Sequence, residues 1–281
     1  MDRPVPDPRT RIAGEPPLLP LKRVLVLSYL NYKNFGDRLG FHVLNALLPA
    51  NIQLVHVPLD YSYIPDGDFD LMILGLGQSL NAGTILRPEL VELMGRAPHT
   101  IGIFGTQYPS QYRAALEPRQ FRNFLSRLTT WWARYETDIR DYGAACANVR
   151  HLGDWLIAAF PMTEPRLDRS LTVEADSRTF EAPLDRMIQW IQSYPQVHSA
   201  RLHPLLCALT SAERVSYREQ RETADANEAS GKFQSMLLDI FGRTWPEDQL
   251  FEVDRAAVVR YKMKVEANMA ALRQQIVGLL S

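Results

Sequence analysis

The sequence has little cysteine and no long apolar run. Its 281 residues contain two cysteines, Cys146 and Cys207, which lie far apart and match neither a thiolate metal site nor a disulfide framework. No apolar run approaches the ~20 residues that are needed to cross a bilayer. These absences predict a soluble, cytoplasmic protein without a transmembrane segment.

The chain also lacks an excess of charge of either sign. It has 31 lysines and arginines against 32 aspartates and glutamates, which gives a net charge of -1. Such a balance produces no overall field that would attract nucleic acid or an anionic membrane surface. We therefore expect no nucleic-acid partner, and any cationic site must be built locally.

Neither a metal site nor a signal peptide is indicated. Four of the histidines are scattered and do not have the spacing of metal ligands. They are His42, His56, His99 and His151. Residues 1–20 are rich in proline and charge but lack the apolar stretch of a signal peptide, so we interpret them as a flexible leader.

The chain does contain an alternation of strand-like and helix-like segments. The run Arg23–Ser28 is almost continuously aliphatic, as expected of a strand that is buried on both faces of a parallel sheet. A helical pattern follows, and the alternation continues. We predict an α/β protein with an N-terminal Rossmann-like domain (21–148) and a C-terminal Rossmann-like domain (149–255). The boundary falls in a turn-prone segment that ends at Pro165.

The C-terminal segment has its own helical pattern. Apolar residues recur there at the spacing of one helix face. They are Val258, Tyr261, Val265, Met269, Leu272, Ile276 and Leu279. We predict a long amphipathic helix over 256–281. Its apolar face packs either on the body of the same chain or on a partner, so the pattern leaves a homo-oligomer open.

Three polar turns follow predicted strands of the N-terminal domain. The first is Asn34–Asp37, in which Gly36 permits a tight turn and Asp37 either caps a helix or faces a ligand. The second, Gly75–Ser79, lacks the third glycine of a dinucleotide fingerprint and therefore does not predict NAD binding. The third is Gly105–Gln107. The carboxyl ends of parallel strands meet at one edge of a sheet, so we expect these turns to lie where ligands bind.

Arg134 follows the predicted strand Thr130–Arg134. A guanidinium at the edge of a sheet is able to hold a carboxylate or a phosphate through two parallel hydrogen bonds. The structural alternative is a salt bridge with Glu136 or Asp138. The sequence leaves both interpretations open.

The segment His198–Pro204 carries the sharpest signal. Arg201 and His203 alternate, so in an extended backbone their side chains point to the same side of the chain. A fixed cation beside a titratable imidazole suits proton transfer to an anionic substrate, and we expect a functional role for both. His198 is expected to be a packing residue.

Taken in order, these segments resemble the polysaccharide pyruvyl transferase family. The likeness covers residues 22–242. It consists of an N-F-G-D turn, a glycine-rich turn, an arginine after a strand, a G-D turn, an R-x-H element and a lysine-bearing segment. In this chain they are Asn34–Asp37, Gly75–Gln78, Arg134, Gly153-Asp154, Arg201–His203 and Gly231–Phe233.

The resemblance implies a GT-B-like architecture, in which two Rossmann-like halves face a cleft. The half 21–148 is then the acceptor side and the half 149–255 the donor side. It also implies transfer of an enolpyruvyl group from phosphoenolpyruvate to a sugar of a bacterial polysaccharide or of its precursor, which forms a pyruvate ketal. The acceptor is a saccharide, either free or lipid-linked. No metal and no organic cofactor is implied.

Residue roles follow from this resemblance and from the charge of the donor. Phosphoenolpyruvate carries a carboxylate and a phosphate, so the site needs at least two cations. Arg134 and Arg201 are the candidates, with Lys232 as a third. His203 is the candidate acid that protonates the methylene carbon, and Asp37 is the candidate carboxylate that orients or deprotonates the hydroxyls of the acceptor. Acceptor binding is completed by Asn34, Gln78 and Gln107.

Two other functions are compatible with the same residues. A GT-B glycosyltransferase that uses a nucleotide sugar would have the same architecture, since arginine and lysine together can hold a diphosphate. A non-catalytic relative in polysaccharide assembly would keep the fold without the chemistry.

Overall fold

A computed structural model gives the structure of this protein and describes residues 21–29, 33–77, 82–106, 118–174, 182–221 and 229–281. The predicted leader (1–20) and the predicted acceptor-binding residues Gln78 and Gln107 lie outside these ranges. Within them, no helix combines the length and the apolar composition that crossing a membrane requires.

Strands and helices alternate along the described chain. The strands are β1 (Lys22–Ser28), β2 (Ile52–Pro58), β3 (Leu71–Gly75), β4 (Thr100–Phe104), β5 (Thr130–Ala133), β6 (Val149–His151), β7 (Ser170–Val173), β8 (Gln196–Ser199), β9 (Arg214–Tyr217) and β10 (Phe251–Glu252). The helices are α1 (Phe35–Leu47), α2 (Ala82–Ile85), α3 (Pro88–Gly95), α4 (Pro118–Leu125), α5 (Glu136–Tyr142), α6 (Leu184–Gln192), α7 (Leu202–Ala208), α8 (Lys232–Phe241) and α9 (Arg255–Leu280). Short 3-10 helices lie at Gly143–Ala145 and Trp155–Ala159.

The first sheet has six strands in the order β2-β1-β3-β4-β5-β6, and all neighbouring strands are parallel. Every residue of β3 and β4 is buried, as the aliphatic runs predict. Because β2 and β3 flank β1 on opposite sides, the strand order reverses there. The carboxyl ends of β1 and β3 therefore border the position where open α/β sheets bind ligands.

The second sheet is smaller. Strands β7, β8 and β9 are parallel, and the two-residue strand β10 pairs antiparallel with β9. Strand β6 pairs with β5, so the first sheet continues past residue 148, where the sequence places the domain boundary. A mixed α/β fold with a parallel sheet of six strands and a long C-terminal helix is thereby confirmed.

One hydrophobic cluster joins the two sheets. It contains Val24 and Val26 of β1 together with Val197 of β8, while the alternate residues of β1 belong to a second cluster on the other face. Helix α1 contacts α6 and α7 of the second half. At this junction the rings of Phe35 and Phe160 stack with their centroids 6.0 Å apart.

Helix α9 covers the segment that connects the two sheets. The hydroxyl of Tyr261 accepts a hydrogen bond of 2.7 Å from the backbone N–H of Asp154. Nearby, the Nζ of Lys262 donates to the carbonyls of Ile157 and Ala158 at 3.0 and 3.1 Å. The connecting segment is therefore held by polar contacts as well as by apolar packing.

The C-terminal part of the same helix reaches the first sheet. The side-chain carbonyl of Gln275 accepts from the indole N–H of Trp132 at 2.7 Å, and its amide donates to the hydroxyl of Thr130 at 2.5 Å. Val265, Leu272 and other predicted apolar positions are buried. The apolar face of the predicted helix thus packs on the body of its own chain.

Gly153 packs closely against α9. Its φ is +85°, and a Cβ built there would lie 2.5 Å from the Cγ2 of Val265. We expect Gly153→Ala to lower the free energy of unfolding by about 2–3 kcal/mol, because it adds a left-handed alanine and a clash. The control is Gly278→Ala, at an exposed position of α9 with open space, which should raise it by at most about 1 kcal/mol. Urea denaturation checks both, and equal stabilities would contradict the expectation.

Candidate active site

Arg134 lies directly after β5, where its guanidinium is almost completely buried. Its Nε and Nη2 atoms donate to the same oxygen, the Oδ2 of Asp154, at 3.1 and 2.5 Å. A salt bridge with Glu136 or Asp138, the structural alternative in the sequence, is therefore not what neutralises Arg134. The partner instead comes from the turn after β6, on the neighbouring strand.

Asp138 has a different task, which is to fix the turn that carries Arg134. Its Oδ1 accepts from the backbone N–H and the hydroxyl of Thr106 at 2.7 and 2.6 Å, and its Oδ2 accepts from the backbone N–H of Tyr135 at 2.9 Å. Burial raises the pKa of Asp138 to about 6, while these hydrogen bonds act in the opposite direction. The ends of β4 and β5 are thereby tied together.

Asp154 is fully buried and collects several donors. Besides Arg134, the phenol of Tyr135 donates to Oδ2 at 3.2 Å. Its Oδ1 accepts no hydrogen bond from any residue that the structure describes. Burial is the largest influence on the pKa of Arg134 and lowers it, but the charge and hydrogen bond of Asp154, together with Tyr135 and Tyr261, outweigh burial and raise that pKa above its usual range. The guanidinium therefore stays positively charged at any pH at which the protein is folded.

His203, in the first turn of α7, reaches the same cluster. Nη2 of Arg134 donates a short hydrogen bond to the Nε2 of His203. A guanidinium has donors only, so Nε2 is the acceptor and the proton of the neutral ring lies on Nδ1. Burial lowers the pKa of His203 to about 3, Arg134 and Lys232 act in the same direction, and Asp154 opposes them. The imidazole is therefore uncharged at neutral pH in this structure.

Gly36 provides the space for this imidazole. A Cβ built on Gly36 would lie 1.8 Å from the Nδ1 and 2.3 Å from the Cε1 of His203. The glycine of the N-F-G-D turn is thus required because another side chain occupies the volume of its missing methyl group. Two motifs that are far apart in the sequence meet at this contact.

The polar residues of the same turn support helix α1. The side-chain oxygen of Asn34 accepts from the backbone N–H of Asp37 at 3.1 Å, which makes Asn34 the N-cap. The capping role that the sequence offers to Asp37 therefore belongs to Asn34. Asp37 lies in the first turn of α1, where a negative charge is favourable, and it is partly buried.

Arg201 and Lys232 stand at the starts of two helices. Arg201 is the N-cap residue and has the extended backbone that the sequence predicts, but α7 begins at Leu202, so the prediction is wrong for His203. Lys232 is the first residue of α8, and its Nζ donates to the side-chain carbonyl of Gln220 at 3.3 Å. The positive charge of Lys232 reaches His203, since it contributes to the low pKa of that ring.

A small cavity adjoins Arg134 at the carboxyl ends of β3 to β6. Gly77, Gly153 and Trp155 line it together with the arginine, and it has room for about one water molecule. Next to it, Leu76 has a φ of +81°, a left-handed conformation that is strained for leucine. Packing of the Leu76 side chain in the hydrophobic core holds this conformation.

Sequence reasoning identified Arg134, His203 and Lys232 but assigned no role to Asp154 or Tyr261. The sequence marks Asp154 only as the second residue of a G-D turn, and an aspartate after a glycine usually forms a turn. Tyr261 stood out only as part of the apolar face of a helix. Within the described ranges, no group of three or more histidine, cysteine, aspartate or glutamate side chains is arranged to hold a metal ion.

Comparisons with known proteins give a distant structural likeness. No family model matches the sequence, and no curated protein is significantly similar to it. A solved structure of an alpha-glucosyltransferase in complex with UDP and a 13-mer DNA containing an HMU base has 9% identity and a TM-score of 0.43, over 92% of this chain and 95% of that chain. Another, of alpha-glucosyltransferase (AGT) in complex with UDP, has 8% identity and a TM-score of 0.40, over the same 92% and 95%. Similarity at this level says nothing about the ligands of this chain.

The contact between Gly36 and His203 leads to a test. We expect Gly36→Ala to expel the imidazole from its place, because the methyl group would overlap the ring, and to lower the free energy of unfolding by about 1–3 kcal/mol. Gly40→Ala in the same helix is the control, since the nearest atom to its Cβ would be 3.5 Å away. That variant should be as stable as the parent or more stable by up to about 1 kcal/mol. Chemical denaturation that finds both variants equally stable would show that the contact is absent.

The low pKa of His203 predicts a pH dependence. Between the folded pKa of about 3 and the unfolded pKa near ~6.5, the unfolded chain binds a proton that the folded protein does not, so stability is lost as the pH falls through this range. We expect the stability advantage of the wild type over His203→Gln to shrink steadily from pH 7 to pH 4. Replacement of the exposed His42 by Gln is the control and should leave the pH profile parallel to that of the wild type. The raised pKa of Asp138 has the opposite effect, since it makes the folded protein more stable as the pH falls. All three proteins contain Asp138, so this contribution cancels when their stabilities are compared.

Proposed function

We propose that this protein is a transferase that holds a small anionic donor beside His203 and transfers its organic group to a hydroxyl of a saccharide. The supporting observation is that Arg134 and Lys232 approach one imidazole in a chain with no overall positive charge. Such a local concentration of cations suits an anion. The first turn of α1, at Gly36, borders the same imidazole.

The proposed donor is phosphoenolpyruvate. The residues that carry the resemblance to polysaccharide pyruvyl transferases are also those that contact one another. Gly36 of the N-F-G-D turn lies against His203 of the R-x-H element, and His203 accepts from Arg134, which pairs with Asp154 of the G-D turn. Lys232, from the lysine-bearing segment, acts on the same imidazole. Motifs that belonged to unrelated parts of the molecule would have no reason to converge.

The reaction would begin with protonation of the donor. A proton passes from the imidazole of His203 to the methylene carbon, and the adjacent carbon becomes an oxocarbenium-like centre to which a sugar hydroxyl adds. A second hydroxyl then displaces inorganic phosphate, which gives the ketal. His203 is neutral without the donor, but the negative charges of a bound phosphate and carboxylate raise the pKa of a neighbouring imidazole. The acid would thus form only when the donor is bound.

The remaining roles belong to the same proposal. Arg201 and Lys232 would complete the positive surroundings of the donor, and Asp37 would orient or deprotonate the hydroxyls of the acceptor. Asn34 combines its capping role with a position in the same turn. In this arrangement the first sheet and the second sheet form two Rossmann-like halves, and the substrates enter between them.

A nucleotide sugar is the alternative donor. Its diphosphate carries charge similar to that of phosphoenolpyruvate and would use the same arginine and lysine side chains. The two proposals differ in which ligand stabilises the protein. An enzyme that uses a nucleotide sugar should be stabilised by UDP or a related nucleotide. In contrast, the pyruvyl transferase proposal predicts binding of phosphoenolpyruvate without any nucleotide.

The test measures binding and turnover. We expect phosphoenolpyruvate, but not UDP, to raise the melting temperature, and we expect release of phosphate from phosphoenolpyruvate with one member of a panel of saccharide acceptors. Lys232→Met should raise the KM for the donor about tenfold, because a charged hydrogen bond is lost. Lys264→Met is the control, as Lys264 pairs with Glu136 at an exposed position, and it should leave the KM unchanged.

Two results would contradict the proposal. Stabilisation by UDP alone would assign the donor to the nucleotide sugars. If Arg134→Gln and His203→Gln proteins remain folded and support the same ketal content as the wild type in a polysaccharide-producing strain, the protein is a non-catalytic component of polysaccharide assembly.

A further inference from the structure

Asp154 is held in place by several hydrogen bonds. Its backbone N–H donates to the hydroxyl of Tyr261, and its Oδ2 accepts from Tyr135 and twice from Arg134. No part of Asp154 is exposed to solvent. The carboxylate therefore cannot turn without breaking several hydrogen bonds in a buried place.

This carboxylate determines the orientation of the Arg134 guanidinium. Hydrogen bonds from Nε and Nη2 to one oxygen leave the guanidinium little freedom to rotate. The second hydrogen on Nη2 is then directed at the Nε2 of His203. Asp154 thus acts on the imidazole through the arginine rather than directly, since the distance from its Oδ2 to Nε2 is 4.0 Å.

We propose that Asp154 is a positioning residue that, by fixing Arg134, keeps the single proton of His203 on Nδ1. The opposite tautomer would place the Nε2–H of His203 against an N–H of Arg134. Two donors would then face each other in a buried environment, with neither hydrogen bond made. The arrangement reverses the usual effect of a carboxylate on histidine, because a carboxylate in direct contact with Nε2 would draw the proton to Nε2.

The consequence of this tautomer lies at the other edge of the ring. Nδ1 is the atom closest to the missing methyl group of Gly36, so the proton is presented at the first turn of α1. If the proposed function is correct, the bound donor draws a second proton onto the ring at Nε2, and the Nδ1–H of this imidazolium is the proton that passes to the donor.

The tautomer can be read without any substrate. In protein labelled with ¹⁵N-histidine, two-bond couplings between the ring nitrogens and carbon-bound protons distinguish the Nδ1–H and Nε2–H forms, and the signals of His203 are those missing from His203→Gln. We expect the wild type at pH 7 to show the Nδ1–H form alone. A wild-type spectrum with the proton on Nε2 would overturn the proposal, whatever the donor proves to be.

Asp154→Asn tests the positioning role. It keeps the size of the side chain but removes the charge that holds Arg134, so we expect the Nε2–H form to appear beside the Nδ1–H form. The matched control is Tyr261→Phe, which removes the hydroxyl bound to the backbone of Asp154 and leaves the carboxylate in place. Tyr261→Phe should retain the Nδ1–H form alone. Retention of that form in Asp154→Asn would contradict the proposal.

A second variant covers the case in which Asp154→Asn does not fold. Arg134→Met combined with Asp154→Leu removes both charges together, a replacement that is often neutral or stabilising for buried pairs. His203 in this double variant should lose its preference for Nδ1–H. An unchanged preference would mean that the surroundings of Gly36, and not Asp154, select the tautomer.

Kinetics separate this proposal from the proposed function. If phosphoenolpyruvate is the donor, Asp154→Asn should lower kcat about tenfold or more and change the KM for the donor less, because a misplaced proton slows the chemical step. Absence of turnover in the wild type would refute the proposed function alone, since the spectra of the ligand-free protein would still report the tautomer.

Discussion

The ion pair between Arg134 and Asp154 is the constraint on which the site depends. Removing two charges from water costs several kcal/mol per ion, and their attraction compensates only when the geometry is good and the remaining polar atoms are satisfied. Both side chains are buried here, and Tyr135 adds a further donor to the carboxylate. Removal of one partner typically costs about 3–5 kcal/mol, because it leaves an uncompensated buried charge. The ion pair therefore ties the position of Arg134 and His203 to the stability of the fold.

Several elements of the structure serve this pair. Asp138 holds the turn that follows β5, and the left-handed backbone of Gly153 brings the next residue, Asp154, to the guanidinium. Packing of Gly153 on Val265 shows how little space the turn has. A polar interaction in the centre of the molecule is thus made possible by close apolar contacts around it.

The sequence was sufficient to predict what depends on local pattern. The aliphatic run at Arg23–Ser28 becomes β1, the C-terminal helical pattern becomes α9, and the α/β class follows from the alternation of such segments. Arg134 could be selected because it follows a predicted strand, and His203 because it is a titratable residue two positions from Arg201. The two-residue strand β10 could not be predicted, because so short a segment has no periodicity.

What the sequence could not reveal depends on contacts between distant segments. The sequence offers Glu136 and Asp138 as partners of Arg134, because they lie two and four positions away. The actual partner, Asp154, lies in the turn that follows the neighbouring strand β6. The sequence indicates only that Gly36 is a turn residue, although its role is to leave volume for the ring of His203 from helix α7. The alternation of Arg201 and His203 suggested an extended chain, but helix α7 already begins between them. In each case the local pattern was real and tertiary packing decided its meaning.

Helix α9 has a consequence for the order in which the molecule can assemble. It supplies the hydroxyl that holds the backbone of Asp154 and the amide that bridges Trp132 and Thr130, yet it is the last of the described segments to leave the ribosome. A nascent chain that has not yet emerged as far as Tyr261 lacks these contacts and cannot complete the surroundings of the carboxylate. The ion pair between Arg134 and Asp154 therefore reaches its final surroundings only after the rest of the described chain has been translated.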